Sequence, residues 1–360
     1  MIHFHPLFIK DIRRETDECV SIAFDVPDNV RDKYLYTQGQ SLTIRTILNG
    51  QEVRRTYSLC SSPLDNEWRI AVKKVEGGLF STFANHELEV GDMLEVMPPV
   101  GKFYTPLDPR QKKHYVAIAA GSGITPVLSI ISTTLRTEPA STFTLVYGNR
   151  TRSSIIFKEE LDALKNRFMN RFTVHHILSR EQADAPVYFG RIDGPKCDLL
   201  FSKLVDLENV DEFFICGPEQ MIFCVRDFLE KKGIEKNKIH FELFTIPGER
   251  SSVVKRDSSL NKTNQGPVSR ISVKLDGILF DFDLGMQGQS ILDAALAQGA
   301  DLPYACKGGV CCTCKARLLE GKVQMEVNYG LEPDEIEQGF ILTCQSHPLT
   351  PVVSVDFDVR

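Results

Sequence analysis

Three folded units in series are expected of this 360-residue chain: an antiparallel β-barrel or sandwich, an α/β domain with a parallel sheet, and a small unit holding clustered cysteines. Three observations predict this. The first hundred residues carry short, partly alternating apolar runs split by turn-formers. From about residue 114 the rhythm changes to buried-strand runs alternating with helical patterns. Residues 245–270 then lose hydrophobic periodicity altogether and read as an exposed linker.

The β-rich part is carried by SIAFDV, SLTIRTIL, RRTYSLC, WRIAVKKV and DMLEVMPPV, divided by NG, DN, GG and GD turns. A barrel or sandwich suits such a series. HYVAIAA opens the second part as a buried strand, followed by GSGITP and the helical VLSIISTTLR. FTLVYG, IFKEELDALKNRF, FTVHHILS, DEFFICG and PEQMIFCVRDFLEKKG continue the strand–helix alternation, which implies a parallel sheet. Beyond the linker, RISVKLDGILFDFDL reads as a hairpin turning at Asp276-Gly277, and SILDAALAQGA as a helix with Ser290 as N-cap. The boundaries expected are 1–108, 109–246, a linker over 247–269, and 270–360.

Composition excludes several classes. Hydrophobic content of 42% and charged content of 25% are those of a globular protein. No apolar run is long enough to span a bilayer, and the first residues lack the basic and apolar regions of a signal peptide, so a cytoplasmic chain with no membrane partner is expected. The net charge of −6 argues against nucleic acid. Residues 270–360 hold seven Lys and Arg against thirteen Asp and Glu, so the whole negative excess lies on the cysteine-bearing unit.

ACKGGVCCTCK, residues 305–315, packs four of the ten cysteines into nine positions. A chain of this length outside the exported disulfide scaffolds points to reduced thiols and a metal. Cys306, Cys311 and Cys314 give C-x4-C-x2-C, and Cys344 follows after a gap of 29 residues. This is the spacing of a plant-type [2Fe–2S] site, with four thiolates for two irons. Cys312 falls outside it. The alternative is a four-cysteine zinc site, which usually pairs two short knuckles.

The remaining motifs are individually weak. RTYS at 55–58 could be an ordinary strand, and GGLFST a helix start able to bind phosphate. AAGSGITP at 119–126 follows a strand and opens a helix, but Pro126 replaces the third glycine of the dinucleotide fingerprint. ICGPEQM at 215–221 is another strand-to-helix turn, whose Cys216 could be a plain core residue.

In order, however, R-x-Y-S, GG-x-x-S, G-x-G-x-x-P and CGP resemble the ferredoxin–NADP reductase superfamily. A plant-type ferredoxin behind them narrows the resemblance to oxygenase reductases. YACKGGVCCTCK, GKVQMEVNYGLEPDEIEQGFILTCQ, RRTYSLC, AIAAGSGITP and VYGNR are similar to the reductases of bacterial phenylacetyl-CoA epoxidases, with those of ketosteroid and other ring hydroxylases as the alternative. The resemblance implies a multidomain chain: an antiparallel β-barrel FAD domain, an α/β parallel-sheet NAD(P) domain and an α+β ferredoxin domain of β-grasp type.

It also implies roles. Arg55, Tyr57 and Ser58 would lie along FAD, with Arg55 at the pyrophosphate, Tyr57 on the isoalloxazine and Ser58 near its reactive nitrogen. Gly78, Phe80, Ser81 and Thr82 would continue the pyrophosphate site. Gly121, Gly123, Thr125 and Pro126 would meet the nicotinamide nucleotide, and Cys216 would sit beside the nicotinamide. Glu242 and Phe244 fall where the family closes the flavin pocket, or are ordinary end-of-sheet residues. Ser58, Cys216 and Glu242 are the catalytic candidates.

After FTLVYG stand Arg150 and Arg152 rather than an acid, which suits a ribose 2′-phosphate and favours NADPH, with NADH possible. The alternative is two solvated surface charges. The expected activity is electron transfer from NADPH through FAD and the iron–sulfur cluster to a separate, multisubunit di-iron oxygenase. The chain itself shows no Glu-x-x-His pairs on helices for a di-iron site. The partner is expected to dock on the acidic ferredoxin domain at Glu332, Asp334, Glu335 and Glu337, which could equally form a solvated helix face. A zinc-binding interaction protein is the reading from a different class.

Overall fold

The computed structural model describes residues 3–183, 185–244 and 267–359. The chain forms two compact units, the first made of His5–Val53 and Tyr57–Phe244, the second centred on the C-terminal residues. The expected linker lies largely outside the described residues.

The first unit opens with β1 (His5–Thr16), β2 (Cys19–Asp25), the short α1 (Asp28–Arg31), β3 (Ser41–Leu48), β4 (Gln51–Ser58), β5 (Trp68–Lys73), α2 (Leu79–His86) and β6 (Met93–Val96). These strands form one six-stranded sheet in the order β4-β3-β6-β1-β2-β5. Leu59, just past β4, bridges Ile70 of β5, so the two edges of the sheet meet and it closes as a barrel. Its interior is apolar, with Leu7, Ile22, Leu42, Ile44 and Ile70 fully buried.

Next come β7 (His114–Ala120), α3 (Ile124–Thr137), β8 (Thr142–Asn149), α4 (Lys158–Arg167), β9 (Phe172–Leu178), α5 (Gly194–Lys203), β10 (Glu212–Cys216), α6 (Glu219–Lys231) and β11 (Ile239–Glu242). All four strand pairings are parallel, in the order β11-β10-β7-β8-β9. Tyr115–Ala119 is buried along its length, as a strand covered on both faces must be. Barrel and parallel sheet share this unit because their cores run together. Cys19, Cys60, Ala71 and Phe103 belong to the same buried cluster as Ile124, Val127 and Ile131 of α3. Polar contacts add to this: Ser129 Oγ donates to the Ser61 carbonyl at 2.6 Å, and the Ser62 and Thr133 hydroxyls meet at 2.9 Å.

The helix α3 starts three residues earlier than its apolar pattern begins, so Thr125 and Pro126 lie in its first turn. Proline is tolerated there because the N–H donor it lacks would have no intrahelical acceptor in the first turn. The helix α5 lies outside the expected strand–helix pattern. Its sequence GPKCDLLFSK is weakly apolar, and only Lys196, Cys197 and Leu200 are buried.

The second unit contains β12 (Val268–Leu275), β13 (Ile278–Gly285), α7 (Ile291–Ala297), β14 (Lys315–Glu320), β15 (Val323–Met325), α8 (Pro333–Glu337), β16 (Phe340–Leu342), β17 (Ser346–Pro348) and β18 (Val352–Asp356). A five-stranded mixed sheet runs β13-β12-β18-β14-β16, beside a β15-β17 ribbon. Asp276 and Gly277 both adopt positive φ, 53° and 76°, as a two-residue hairpin turn demands. Ser290 caps α7, its hydroxyl accepting from the Asp293 amide at 3.1 Å. Ile291, Leu292 and Ala295 of α7 share one core with Ile271, Val273, Val353 and Val355 of the sheet.

Candidate functional site

In the parallel sheet the chain runs β7 to β8 to β9, then crosses back over β7 to begin β10. The C-terminal ends of β7 and β10 therefore diverge at a topological switch point, where open α/β sheets bind ligands. Gly121–Gly123 turns out of β7 there. A Cβ on Gly123 would lie 2.1 Å from the Cys216 carbonyl oxygen and 2.7 Å from the Gly217 nitrogen, so only glycine fits. Tyr147, fully buried in β8, donates its hydroxyl to the Gly121 carbonyl at 2.9 Å and props the loop. Thr125 is buried, and its hydroxyl donates to the Ser122 carbonyl at 3.1 Å. Thr125 and Pro126 thus shape the turn, while the glycine backbone faces the crevice.

The three catalytic candidates meet at this edge. Cys216 ends β10 in register with Ala119 of β7 and Glu242 of β11. Ser58, at the end of β4, donates its hydroxyl to Glu242 Oε2 at 2.9 Å. Burial pushes the Glu242 carboxyl up from 4.5 to about 7, against the opposing pull of the Ser58 hydrogen bond. Cys216 is fully buried, and burial raises its thiol well above the ordinary range, with the Glu242 charge adding to the effect. A neutral thiol and a carboxyl poised near neutrality can stabilise or pass a proton, and neither acts as a free nucleophile. Phe244, 42% exposed, is the second residue beyond β11, after the buried Leu243.

On the barrel side, α2 begins at Gly78 with no side-chain cap, leaving its first amides free. Ser81 is turned back, its hydroxyl accepting from the Val75 amide at 3.1 Å. Phe80 is 1% exposed and packs its ring 5.5 Å from that of Tyr57. The Gly78 and Thr82 amides bond the Val75 and Gly78 carbonyls, so what this turn presents is the backbone N–H of residues 79–81 and the helix dipole, with the Phe80 and Ser81 side chains occupied elsewhere. An uncapped helix start of this kind fits a pyrophosphate. Arg55 is exposed, its guanidinium donating to the Arg54 carbonyl at 2.7 Å.

Past β8 the two arginines differ. Arg150 is exposed. Arg152 is held by Glu181, whose carboxylate lies 3.1 Å from Arg152 Nε and accepts from the Arg152 amide at 2.8 Å. Glu181 lies 29 positions away in sequence, past the end of β9, and no local pattern announces it.

In the second unit the four expected cysteines fall into two hydrogen-bonded pairs, Cys306 with Cys311 and Cys314 with Cys344. The Cys311 thiol holds Cys306 down at about 5, helped by the amides of Gly308 and Cys311, which donate to Cys306 Sγ at 3.3 and 3.4 Å. Cys314 lowers Cys344 in the same way. In each pair the partner thiol, Cys311 or Cys314, is raised well above the ordinary range by that hydrogen bond and by burial. Four cysteines paired in this way, with amides aimed at sulfur, fit the ligands of a two-iron site. Cys312 stands apart: its sulfur is turned toward Gly330, where an added Cβ would come within 2.5 Å of it.

The acidic segment beyond the cluster needs one correction. Glu332, Asp334 and Glu337 are exposed on or beside α8, but Glu335 is 3% exposed and bonded to Lys315 at 2.9 Å. The helical period turns it inward, toward β14 and β16.

Comparison with known proteins agrees with this geometry. Residues 9–104 match the oxidoreductase FAD-binding domain family, 117–227 the oxidoreductase NAD-binding domain family, and 275–349 the 2Fe-2S iron-sulfur cluster binding domain family. The chain therefore uses FAD, a nicotinamide nucleotide and a [2Fe–2S] cluster. Among the described residues, no helix is long and apolar enough to cross a membrane. Phthalate dioxygenase reductase has the same fold, with a TM-score of 0.56 at 24% identity over 98% of both chains. The 3-ketosteroid-9-alpha-monooxygenase ferredoxin reductase component of Rhodococcus rhodochrous is 34% identical over 98% of this chain and 96% of its own. A subunit of the 1,2-phenylacetyl-CoA epoxidase of Escherichia coli is 46% identical over 100% of this chain and 99% of its own. The order of domains, the two cysteine pairs and this full-length likeness place the chain in one family: it belongs with the flavin and iron–sulfur reductase components of oxygenases, among them that of phenylacetyl-CoA epoxidase.

Proposed function

We propose that this chain takes hydride from NADPH and delivers single electrons to the oxygenase component of a phenylacetyl-CoA epoxidase, a multisubunit di-iron enzyme. The observation that carries the reading is the meeting of Ser58, Cys216 and Glu242 at the sheet's switch point, in a chain that also holds two hydrogen-bonded cysteine pairs. FAD, when bound, accepts two electrons together and releases them singly, and the cluster carries them one at a time.

The protein's part is placement. Gly121 and Gly123 let the nucleotide backbone approach the end of β7. Cys216 gives the nicotinamide a neutral, apolar neighbour. Ser58 and Glu242 share a hydrogen bond through which they would hold a proton for a bound flavin, and Tyr57 would contact its ring. The free amides of α2, with Arg55, meet the pyrophosphate. Phe244 covers the flavin on the side of β11. Arg150 recognises the 2′-phosphate of NADPH, with Arg152 held beside it by Glu181. Cys306, Cys311, Cys314 and Cys344 would together hold the two irons. Glu332, Asp334 and Glu337 present the charge on which the partner docks.

Reconstitution tests the reading. Purified protein, NADPH and a phenylacetyl-CoA oxygenase component should turn over substrate, while a ketosteroid oxygenase component should not be supported. Equal support of both, or of the steroid enzyme alone, would overturn the partner assignment. A colourless, zinc-loaded protein would overturn the electron-transfer reading itself.

A further inference from the structure

Lys315 occupies an unusual place. It directly follows the cluster ligand Cys314, and β14–β16 pairing sets it opposite Leu342, two residues before the ligand Cys344. Cys314 and Cys344 form one hydrogen-bonded cysteine pair, and the Thr343 hydroxyl donates to the Cys314 carbonyl at 2.9 Å. Lys315 is thus locked to the backbone carrying both ligands. Its side chain is 17% exposed, lies 4.8 Å from the centre of the Phe340 ring, and bonds Glu335 Oε1 at 2.9 Å. The other Glu335 oxygen accepts from the Glu332 amide at 3.1 Å, so one carboxylate both caps α8 and neutralises Lys315.

Other charges near the cysteines are wetter. Lys307 pairs with Asp293 at 2.7 Å, but their side chains are 39% and 43% exposed and are screened by water. Among the described residues of this unit, Glu335 and Asp356 are the buried carboxylates. Asp356 lies on β18, where it pairs with Lys274. A buried pair interacts through low dielectric, so its field on a neighbouring redox group is weakly damped.

We propose that Lys315 and Glu335 are positioning residues that set the reduction potential of the iron–sulfur site and tie the acidic helix α8 to it. Reduction adds negative charge to the cluster. A cation carried on the residue next to Cys314 favours reduction through the low-dielectric interior, and Glu335 moderates that cation. Removing Lys315 therefore lowers the potential and removing Glu335 raises it. Removing both leaves a neutral site whose potential falls between the two single variants.

The test is a redox titration of the full-length holoprotein followed by the electron paramagnetic resonance signal of the reduced cluster, for wild type, Lys315→Met, Glu335→Gln and the double variant. Iron content and visible spectrum establish loading first. The expected result is opposite shifts in the single variants and an intermediate value in the double. Shifts of one sign in both single variants, or none in either, would overturn the proposal. If a single variant loses its cluster because a buried charge is stranded, the double variant still decides. Recovery of cluster in the double variant, with a potential above that of a surviving Lys315→Met or below that of a surviving Glu335→Gln, supports the pairing; a potential on the other side, or failure to recover cluster, refutes it.

Discussion

Glu242 offers a test that reads the protein's own physics. Replace it by glutamine, which keeps the shape and removes the charge. In the folded protein this carboxyl titrates at about 7, against 4.5 unperturbed. Its folded value is raised, so its contribution to stability is fully present below the unfolded value and is lost as pH climbs to the folded one. Between these limits the unfolded chain releases the proton while the folded one retains it. The wild type should therefore lose about 1.4 kcal/mol per pH unit across the window, about 3 kcal/mol in total. The Glu242→Gln variant has no such slope. Melts of both proteins from pH 5 to 8, with FAD in constant excess, should nearly coincide at the acid end. They should then diverge in favour of the variant by up to about 6–12 °C, taking about 2–4 °C per kcal/mol for a unit of this size. Ser58→Ala should extend the window at its upper end and leave the lower limit in place, because the Ser58 hydrogen bond opposes the rise in the folded state only. Parallel melting curves, or divergence at acid pH, would show that Glu242 is not a buried, raised carboxyl.

Further outcomes are expected. Arg150→Ala should raise KM for NADPH by about 10- to 100-fold, the loss of a charge-assisted hydrogen bond of about 1.5–3 kcal/mol, and leave KM for NADH almost unchanged; equal use of both nucleotides by the wild type refutes the assignment. Serine in place of Cys306, Cys311, Cys314 or Cys344 should abolish the cluster, measured as bound iron, while Cys312→Ser should retain it, since that sulfur faces Gly330. The four ligand variants should still reduce ferricyanide with NADPH, which draws electrons from the flavin; loss of that activity with FAD retained would break the proposed series. Neutralising Glu332, Asp334 and Glu337 together should slow electron delivery to the oxygenase and flatten its salt dependence; a wild-type rate independent of salt would count against docking there.

The sequence by itself determined the order of folds, because strand alternation, strand–helix rhythm and the cysteine spacing are local patterns written at periods of a few residues. It also located the glycine turn, the Ser290 cap and the Asp276-Gly277 hairpin, where one residue type answers one backbone demand. Tertiary structure alone decided the rest. Ser58 and Glu242 are 184 positions apart, and only closure of the barrel against the parallel sheet puts a hydroxyl on that carboxyl and makes it titrate near neutrality. Glu181 reaches Arg152 because β8 and β9 are neighbours, a fact absent from either segment. Glu335 reads, along the chain, as one more surface acid in a run of acids. The turn of α8 instead carries it inside, against Lys315, where loss of water turns a solvated charge into half of a buried pair. Spacing along the chain fixes which residues can act; burial and long-range pairing fix their protonation and their partners, because both depend on atoms that the chain brings together only on folding.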